Sequence, residues 1–185
     1  MITLVLGGTR SGKSEVAERL ASAESATRGS AGHGRPGVTY IATAPPAVDA
    51  DFAARIEVHR ARRPATWSTL DCVHPRELVT HLRRSVGVVL VDSLGTWVAC
   101  HDTLTIDSAD LLEALAGHDG HVIVVSEEVG LAVHPPTEVG RRYVDAVGTL
   151  NQDVAAVADQ VLFVAAGRVA PLTTFDPAAY GATQQ

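Results

Sequence analysis

The sequence predicts an α/β fold: a single domain (1–185) on a mostly parallel sheet, with helices on both faces and a C-terminal antiparallel edge strand. Three observations carry this reading. Short apolar runs alternate with amphipathic stretches along the chain, the pattern of successive strand–helix units. The first unit encloses Gly7-Gly8-Thr9-Arg10-Ser11-Gly12-Lys13-Ser14, which has the G-x-x-x-x-G-K-S spacing of a phosphate-binding loop, the Walker A pattern. The 185 residues, 46% hydrophobic and 19% charged, suffice for one core and show no internal repeat or domain boundary.

Each element has its own warrant. Ile2–Leu6 is a continuous apolar run ending in glycines, which suits a central parallel strand. Glu15–Ala23 reads as helix, with Val16, Ala17 and Leu20 on one face. Glu24 to Gly37 is rich in Ser, Gly, Ala and Arg and reads as a mobile loop. Val38–Ala42 is a second strand, and Thr43-Ala44-Pro45-Pro46 leaves its carboxyl end, where ligands sit in open α/β sheets. Asp49 or Asp51 caps a helix running to about Arg62, with Phe52, Ile56, His59 and Arg63 along one face and Pro64 ending it. Trp67–Cys72 has the makings of a short strand, and Pro75–Arg84 reads as helix.

Val86–Val91 is a buried strand ending in Asp92-Ser93. Asp107–Ala116 is a helix with Gly117 at its C-cap, and His121–Ser126 a strand followed by Glu127-Glu128-Val129-Gly130. From Glu138 to Ala158 the apolar positions Val139, Tyr143, Val147, Leu150, Val154 and Val157 recur at steps of three and four, a long amphipathic helix. Gly140 and Gly148 weaken that helix by about 1 kcal/mol each, so packing must hold it. Val161–Ala166 and Val169–Leu172 form the closing strand pair, and residues after Thr173 read as a frayed, mobile tail.

The phosphate loop carries the first chemistry. Gly7, Gly8 and Gly12 lack Cβ, so the backbone can curl into a nest whose N–H groups meet phosphate oxygens, with Thr9, Arg10 and Ser11 between them. The helix that follows aims its N-terminal dipole at the same anion. Lys13 adds a full charge at the β/γ-phosphates, and the Ser14 hydroxyl is placed to ligate Mg²⁺. Lys13 is the only lysine; the other fourteen Lys/Arg positions are arginines. A chain that uses arginine elsewhere keeps a compact ammonium where a phosphate loop needs one. Asp92, at the end of an apolar strand, either holds Mg²⁺ directly or through water, as a Walker B carboxylate does, or serves as a helix cap.

A second constellation lies at Arg55-Ile56-Glu57-Val58-His59-Arg60-Ala61-Arg62-Arg63. Four arginines and a histidine against one glutamate make a basic patch on a chain of net charge −6. It reads as a solvated helix face, as the surroundings of a half-buried histidine, or as an anion site facing the phosphate loop. In the last case His59 is a nucleophile towards phosphorus and the arginines neutralise charge in the transition state.

These residues, in order, resemble a known family. Gly7–Ser14, Tyr40-Ile41-Ala42-Thr43-Ala44, Arg55-Ile56 with His59-Arg60 and Arg63-Pro64, and Trp67 are similar to the bifunctional adenosylcobinamide kinase / adenosylcobinamide-phosphate guanylyltransferases of cobalamin biosynthesis. Val91-Asp92-Ser93-Leu94 with Trp97, Val125–Gly130, Gly140–Tyr143, Asp145, Gly148, Leu150-Asn151-Gln152 and Ala158-Asp159 extend the resemblance over about residues 1–172. Val58 stands where some members carry a second histidine, and Glu127 where asparagine is expected. The resemblance implies a RecA-like P-loop fold, a small homo-oligomer with its site near a subunit interface, and two reactions. In the first, ATP or GTP phosphorylates the aminopropanol hydroxyl of adenosylcobinamide. In the second, His59 takes GMP from GTP as a covalent histidine–GMP and passes it to adenosylcobinamide phosphate. The resemblance also places Thr43, Arg60, Arg62, Arg63 and Asp71 near the nucleotide, with Mg²⁺ as cofactor.

Composition narrows the alternatives, which are a P-loop kinase on another small alcohol and a nucleotide-dependent switch. The acidic balance and the lack of a basic stripe speak against a nucleic-acid partner. No run approaches the ~18 apolar residues of a membrane span, and Met1 runs straight into the first strand with no signal peptide, which predicts a cytoplasmic protein. Cys72 and Cys100 build neither a disulfide framework nor a metal motif.

Overall fold

A computed structural model describes residues 1–30, 37–44, 54, 57 and 60–177. The elements in chain order are β1 (Ile2–Gly7), α1 (Lys13–Ser30), β2 (Val38–Ala42), β3 (Ser68–Asp71), α2 (Glu77–Arg84), β4 (Gly87–Asp92), α3 (Leu94–Ala99), α4 (Ala109–Ala116), β5 (Gly120–Glu127), α5 (Glu138–Val157), β6 (Gln160–Ala165) and β7 (Arg168–Leu172). Ala54, Glu57 and residues 60–62 also have helical backbone.

The strands form one seven-stranded sheet in the order β3-β2-β4-β5-β1-β6-β7. Every pair is parallel except β6–β7. Side chains alternate across each strand, so the sheet supplies two cores. Ile2, Leu4, Ile41, Val89, Val91, Val122 and Val124 meet Leu78, Leu82, Trp97, Leu111, Leu115, Val147, Leu150 and Val154 from α2, α3, α4 and α5. On the other face Val5, Tyr40, Leu90, Ile123, Val125 and Val164 meet Ala17 and Ala21 of α1. The predicted α/β, mostly parallel architecture with helices on both faces and an antiparallel edge is the one observed.

The register places the functional edge. Gly7 pairs with Glu127 and Val164, Ala42 with Asp92 and Asp71, and Asp92 with Val125. Strand-final Asp71, Ala42, Asp92, Glu127 and Gly7 therefore line the carboxyl end of the sheet, beside the start of α1. The interposed β5 sets Glu127 between the phosphate-loop strand and the Asp92 strand.

Two expectations are corrected. The helix expected to stop at Ala23 runs to Ser30, so Glu24–Ser30 is helix and not loop. The polar side chains that signalled a loop are absorbed by the helix itself. Thr27 and Ser30 donate to the carbonyls of Ala23 and Ala26 at 3.0 Å, and Arg28 pairs with Glu24 at 2.9 Å one turn earlier. Residues 31–36 of the expected loop lie outside the described residues, as do most of the expected 49–62 helix, Pro45-Pro46 and 178–185 of the expected tail. The second correction is α3, which the sequence reading passed over. Six residues with a glycine and two β-branched side chains carry little helix signal, but Ser93 caps it and Thr96 completes a capping box. The long helix α5 holds as expected, with Val147, Leu150 and Val154 buried, whereas Val139 is exposed.

Candidate functional site: a phosphate loop facing two strand-end carboxylates

The loop's geometry follows from its glycines. A Cβ on Gly7 would lie 2.4 Å from Ser11 Oγ and 2.7 Å from the Val164 carbonyl, so only glycine fits. Gly12 adopts φ +94°, in the left-handed region glycine enters freely. Arg10 shares a positive φ of 58° at the turn. Gly8 is open on its Cβ side. The Ser11 carbonyl accepts from Gly167 N at 2.8 Å, so the β6–β7 turn closes against the loop. Lys13 and Ser14 follow as the first residues of α1. Thr9 and Arg10 are exposed on the loop's outer side.

Lys13 Nζ sits 3.5 Å from Glu127 Oε1 and 3.5 Å from the Gly8 carbonyl. Ser14 Oγ lies 3.4 Å from Asp92 Oδ1, while Tyr40 donates its hydroxyl to Asp92 Oδ2 at 2.8 Å. The two strand-end carboxylates are thus divided between the ammonium and the hydroxyl of the loop. Burial, with the Asp92 charge second, holds the Tyr40 phenol well above its ordinary pKa, so it remains a donor.

Glu127 is held by its surroundings. Ser93 Oγ lies 2.9 and 3.0 Å from its two carboxylate oxygens, and Gly95 N–H donates to Oε2 at 2.9 Å. The Asn151 side-chain amide donates to the Glu127 carbonyl at 2.9 Å. Burial, and secondarily the Glu127 charge, pushes the Tyr143 hydroxyl up to about 12. Sequence reasoning left Glu127 without a role and missed Tyr40, Ser93 and Gly95. The usable signal was position: Glu127, like Asp92, ends an apolar parallel strand.

The basic segment is anchored at two points. Arg62 pairs with Glu18 of α1 at 3.1 Å, and burial raises the Glu18 carboxyl against the opposing pull of that arginine. Arg63 stacks over the Tyr40 ring, 3.5 Å from its centroid. Arg60 reaches Glu57 at 3.2 Å and Asp71 at 3.8 Å, all on the exposed flank of β3. Thr43 is buried; its hydroxyl donates to the Ser93 carbonyl and lies 2.7 Å from Thr96 Oγ1, so it braces the strand end from inside. The structure therefore brings Lys13, Ser14 and Asp92 together and links Arg62 and Arg63 to α1 and β2. His59 lies outside the described residues.

The Ser14 hydroxyl and Asp92 carboxylate are hard oxygen donors, the type Mg²⁺ takes. Among the described residues no cluster of three His, Cys, Asp or Glu side chains forms a cage of its own. Cys72 and Cys100 are free thiols, and burial pushes Cys72 up to about 12. Among the described residues no helix is long and apolar enough to cross a membrane.

A family described as cobinamide kinase / cobinamide phosphate guanyltransferase (CobU) matches residues 3–172. A Pseudomonas aeruginosa protein named bifunctional adenosylcobalamin biosynthesis protein CobP is 44% identical over 181 residues, covering 93% of this chain and 97% of that protein. A Salmonella typhimurium protein named bifunctional adenosylcobalamin biosynthesis protein CobU is 32% identical over 187 residues, covering 90% of this chain and 97% of that one. Among solved structures, the flagellar accessory protein FlaH from Methanocaldococcus jannaschii aligns with a TM-score of 0.47 at 13% identity, over 91% of this chain and 74% of that one. Matched from its first strand to its last, this chain belongs to the cobinamide kinase / cobinamide phosphate guanyltransferase family of enzymes.

Proposed function

We propose that this chain phosphorylates adenosylcobinamide with ATP or GTP and then transfers GMP from GTP, through a covalent intermediate on His59, to give adenosylcobinamide-GDP and pyrophosphate. The observation that carries the reading is the convergence of Lys13, Ser14 and Asp92 at the carboxyl end of the sheet, in a chain that matches this family along its length.

The residues divide the work. The Gly7–Ser14 nest holds the phosphates in line, and Lys13 leaves Glu127 to neutralise charge on the β/γ-phosphates. In the first reaction the substrate hydroxyl oxygen bonds to the γ-phosphorus as the bond to the β,γ-bridging oxygen breaks, and the hydroxyl proton passes to solvent. In the second, an imidazole nitrogen of His59 bonds to the α-phosphorus and pyrophosphate leaves. A phosphate oxygen of adenosylcobinamide phosphate then displaces the histidine, which divides one hard displacement into two. Mg²⁺, held by Ser14 and Asp92, would neutralise phosphate charge as the leaving group departs. The proposal includes a homo-oligomer as the working form.

The test is product mass. Wild-type protein with Mg²⁺, GTP and adenosylcobinamide should yield first the phosphate and then the GDP derivative. Accumulation of the phosphate alone reduces the chain to a kinase; an unchanged corrinoid overturns both steps.

A further inference from the structure

We propose that Tyr40 is a positioning residue for the Asp92 carboxylate, and that Arg63 fixes Tyr40, so that the arginine-rich segment is tied to the metal-binding end of the phosphate site. The inference rests on the proposed role of Asp92 and names what aims it.

Tyr40 lies in β2, beside β4, and is 2% exposed. Its Cα pairs with Leu90, two residues before Asp92, so the phenol reaches along the sheet to the carboxylate. The hydroxyl donates to Asp92 Oδ2 at 2.8 Å, whereas Oδ1 lies 3.4 Å from Ser14 Oγ. One oxygen is thus tied to the phenol and the other is turned towards the residue expected to share the cation. A carboxylate that binds a metal needs such an outer partner to hold its plane.

Tyr40 is itself clamped. The Arg63 guanidinium covers one ring face at 3.5 Å, and Arg63 also reaches Thr69 Oγ1 on β3 at 3.4 Å. Trp67 stacks on Tyr40 at 6.4 Å between ring centroids. The buried Arg63 Nε has no hydrogen-bond partner, which fits a guanidinium seated on a ring face. Apolar filling alone needs only the ring. The hydroxyl has a separate task, and Arg63 carries the link into the segment that also bears Arg60, Arg62 and His59.

The test measures GTP binding by calorimetry, first in excess chelator and then across a Mg²⁺ titration, for wild type, Tyr40→Phe and Arg63→Met. Tyr40→Phe keeps the ring and removes one oxygen. It should leave Mg²⁺-free GTP affinity within about twofold and raise the Mg²⁺ concentration for half-maximal tightening about tenfold. Arg63→Met should shift that midpoint in the same direction by less. An unchanged midpoint in Tyr40→Phe overturns the proposal. An equal loss of Mg²⁺-free affinity also overturns it, because Tyr40 then only shapes the pocket. If Mg²⁺ leaves wild-type GTP binding unaltered, the reading of Asp92 falls and this inference falls with it.

Discussion

Gly95 is where a single methyl group should do the most informative damage. In a helix, alanine is favoured over glycine by about 1 kcal/mol. At Gly95 that gain is opposed by contact: a Cβ would lie 2.0 Å from Glu127 Oε2, 2.7 Å from its Cδ and 2.7 Å from the Tyr143 hydroxyl. The carboxylate cannot swing aside freely, because Gly95 N–H and Ser93 Oγ both hold it. Displacing it breaks two hydrogen bonds to a charged group, each worth about 1.5–3 kcal/mol. The net loss for Gly95→Ala is therefore about 2–5 kcal/mol, or roughly 5–15 °C in Tm for a chain of this size.

Scanning calorimetry reads that shift directly. In a Glu127→Ala background most of the penalty should vanish, since its main cause is gone. Gly148→Ala, on α5 with nothing within 4 Å of its Cβ, should instead stabilise by about 1 kcal/mol. A Gly95→Ala protein that melts with wild type, or an equal penalty with and without the Glu127 carboxylate, would refute the reasoning.

Other outcomes are expected. Lys13→Ala should weaken triphosphate binding about 10- to 100-fold, the loss of one charge-assisted contact, and abolish both reactions; binding that survives undiminished contradicts the reading of the loop. His121 is buried, with Nε2 2.8 Å from Thr3 Oγ1 and Nδ1 3.8 Å from Glu24 Oε2. Burial holds its pKa below the ordinary 6.5, against the opposing pull of Glu24. The folded chain thus binds fewer protons here than the unfolded chain. This contribution to stability is whole above pH ~6.5 and is lost as pH falls through the folded value. Tm should therefore drop more steeply between pH 7 and 5 in wild type than in His121→Gln, and parallel curves would remove His121 from the account.

What the sequence made legible was periodic or local. β2 begins and ends where its apolar run does, at Val38 and Ala42, and α5 differs by one residue at its C-terminus because its apolar steps of three and four run to the end. Lys13, Ser14 and Asp92 were legible because a fixed spacing and a strand end announce them. The second half of α1 was not, because Thr27 and Ser30 signal loop by type yet bond back into the helix. Glu127 was visible as a residue but not as a partner. Its contacts with Lys13, Ser93 and Gly95 span more than thirty positions in sequence and exist only once β1, β4 and β5 stand side by side. Tyr40 was hidden for the same reason, since a tyrosine in an apolar strand reads as core until Asp92 is set beside it.

The measurement that tests the central claim most directly is retention of label from GTP marked at the α-phosphorus, in Mg²⁺, by wild type and by His59→Ala. The account predicts acid-labile, alkali-stable label on the wild-type chain, with pyrophosphate released, and none on the variant. Absence of label from a wild-type chain that binds GTP, or equal label on both proteins, would contradict a covalent histidine–GMP at His59.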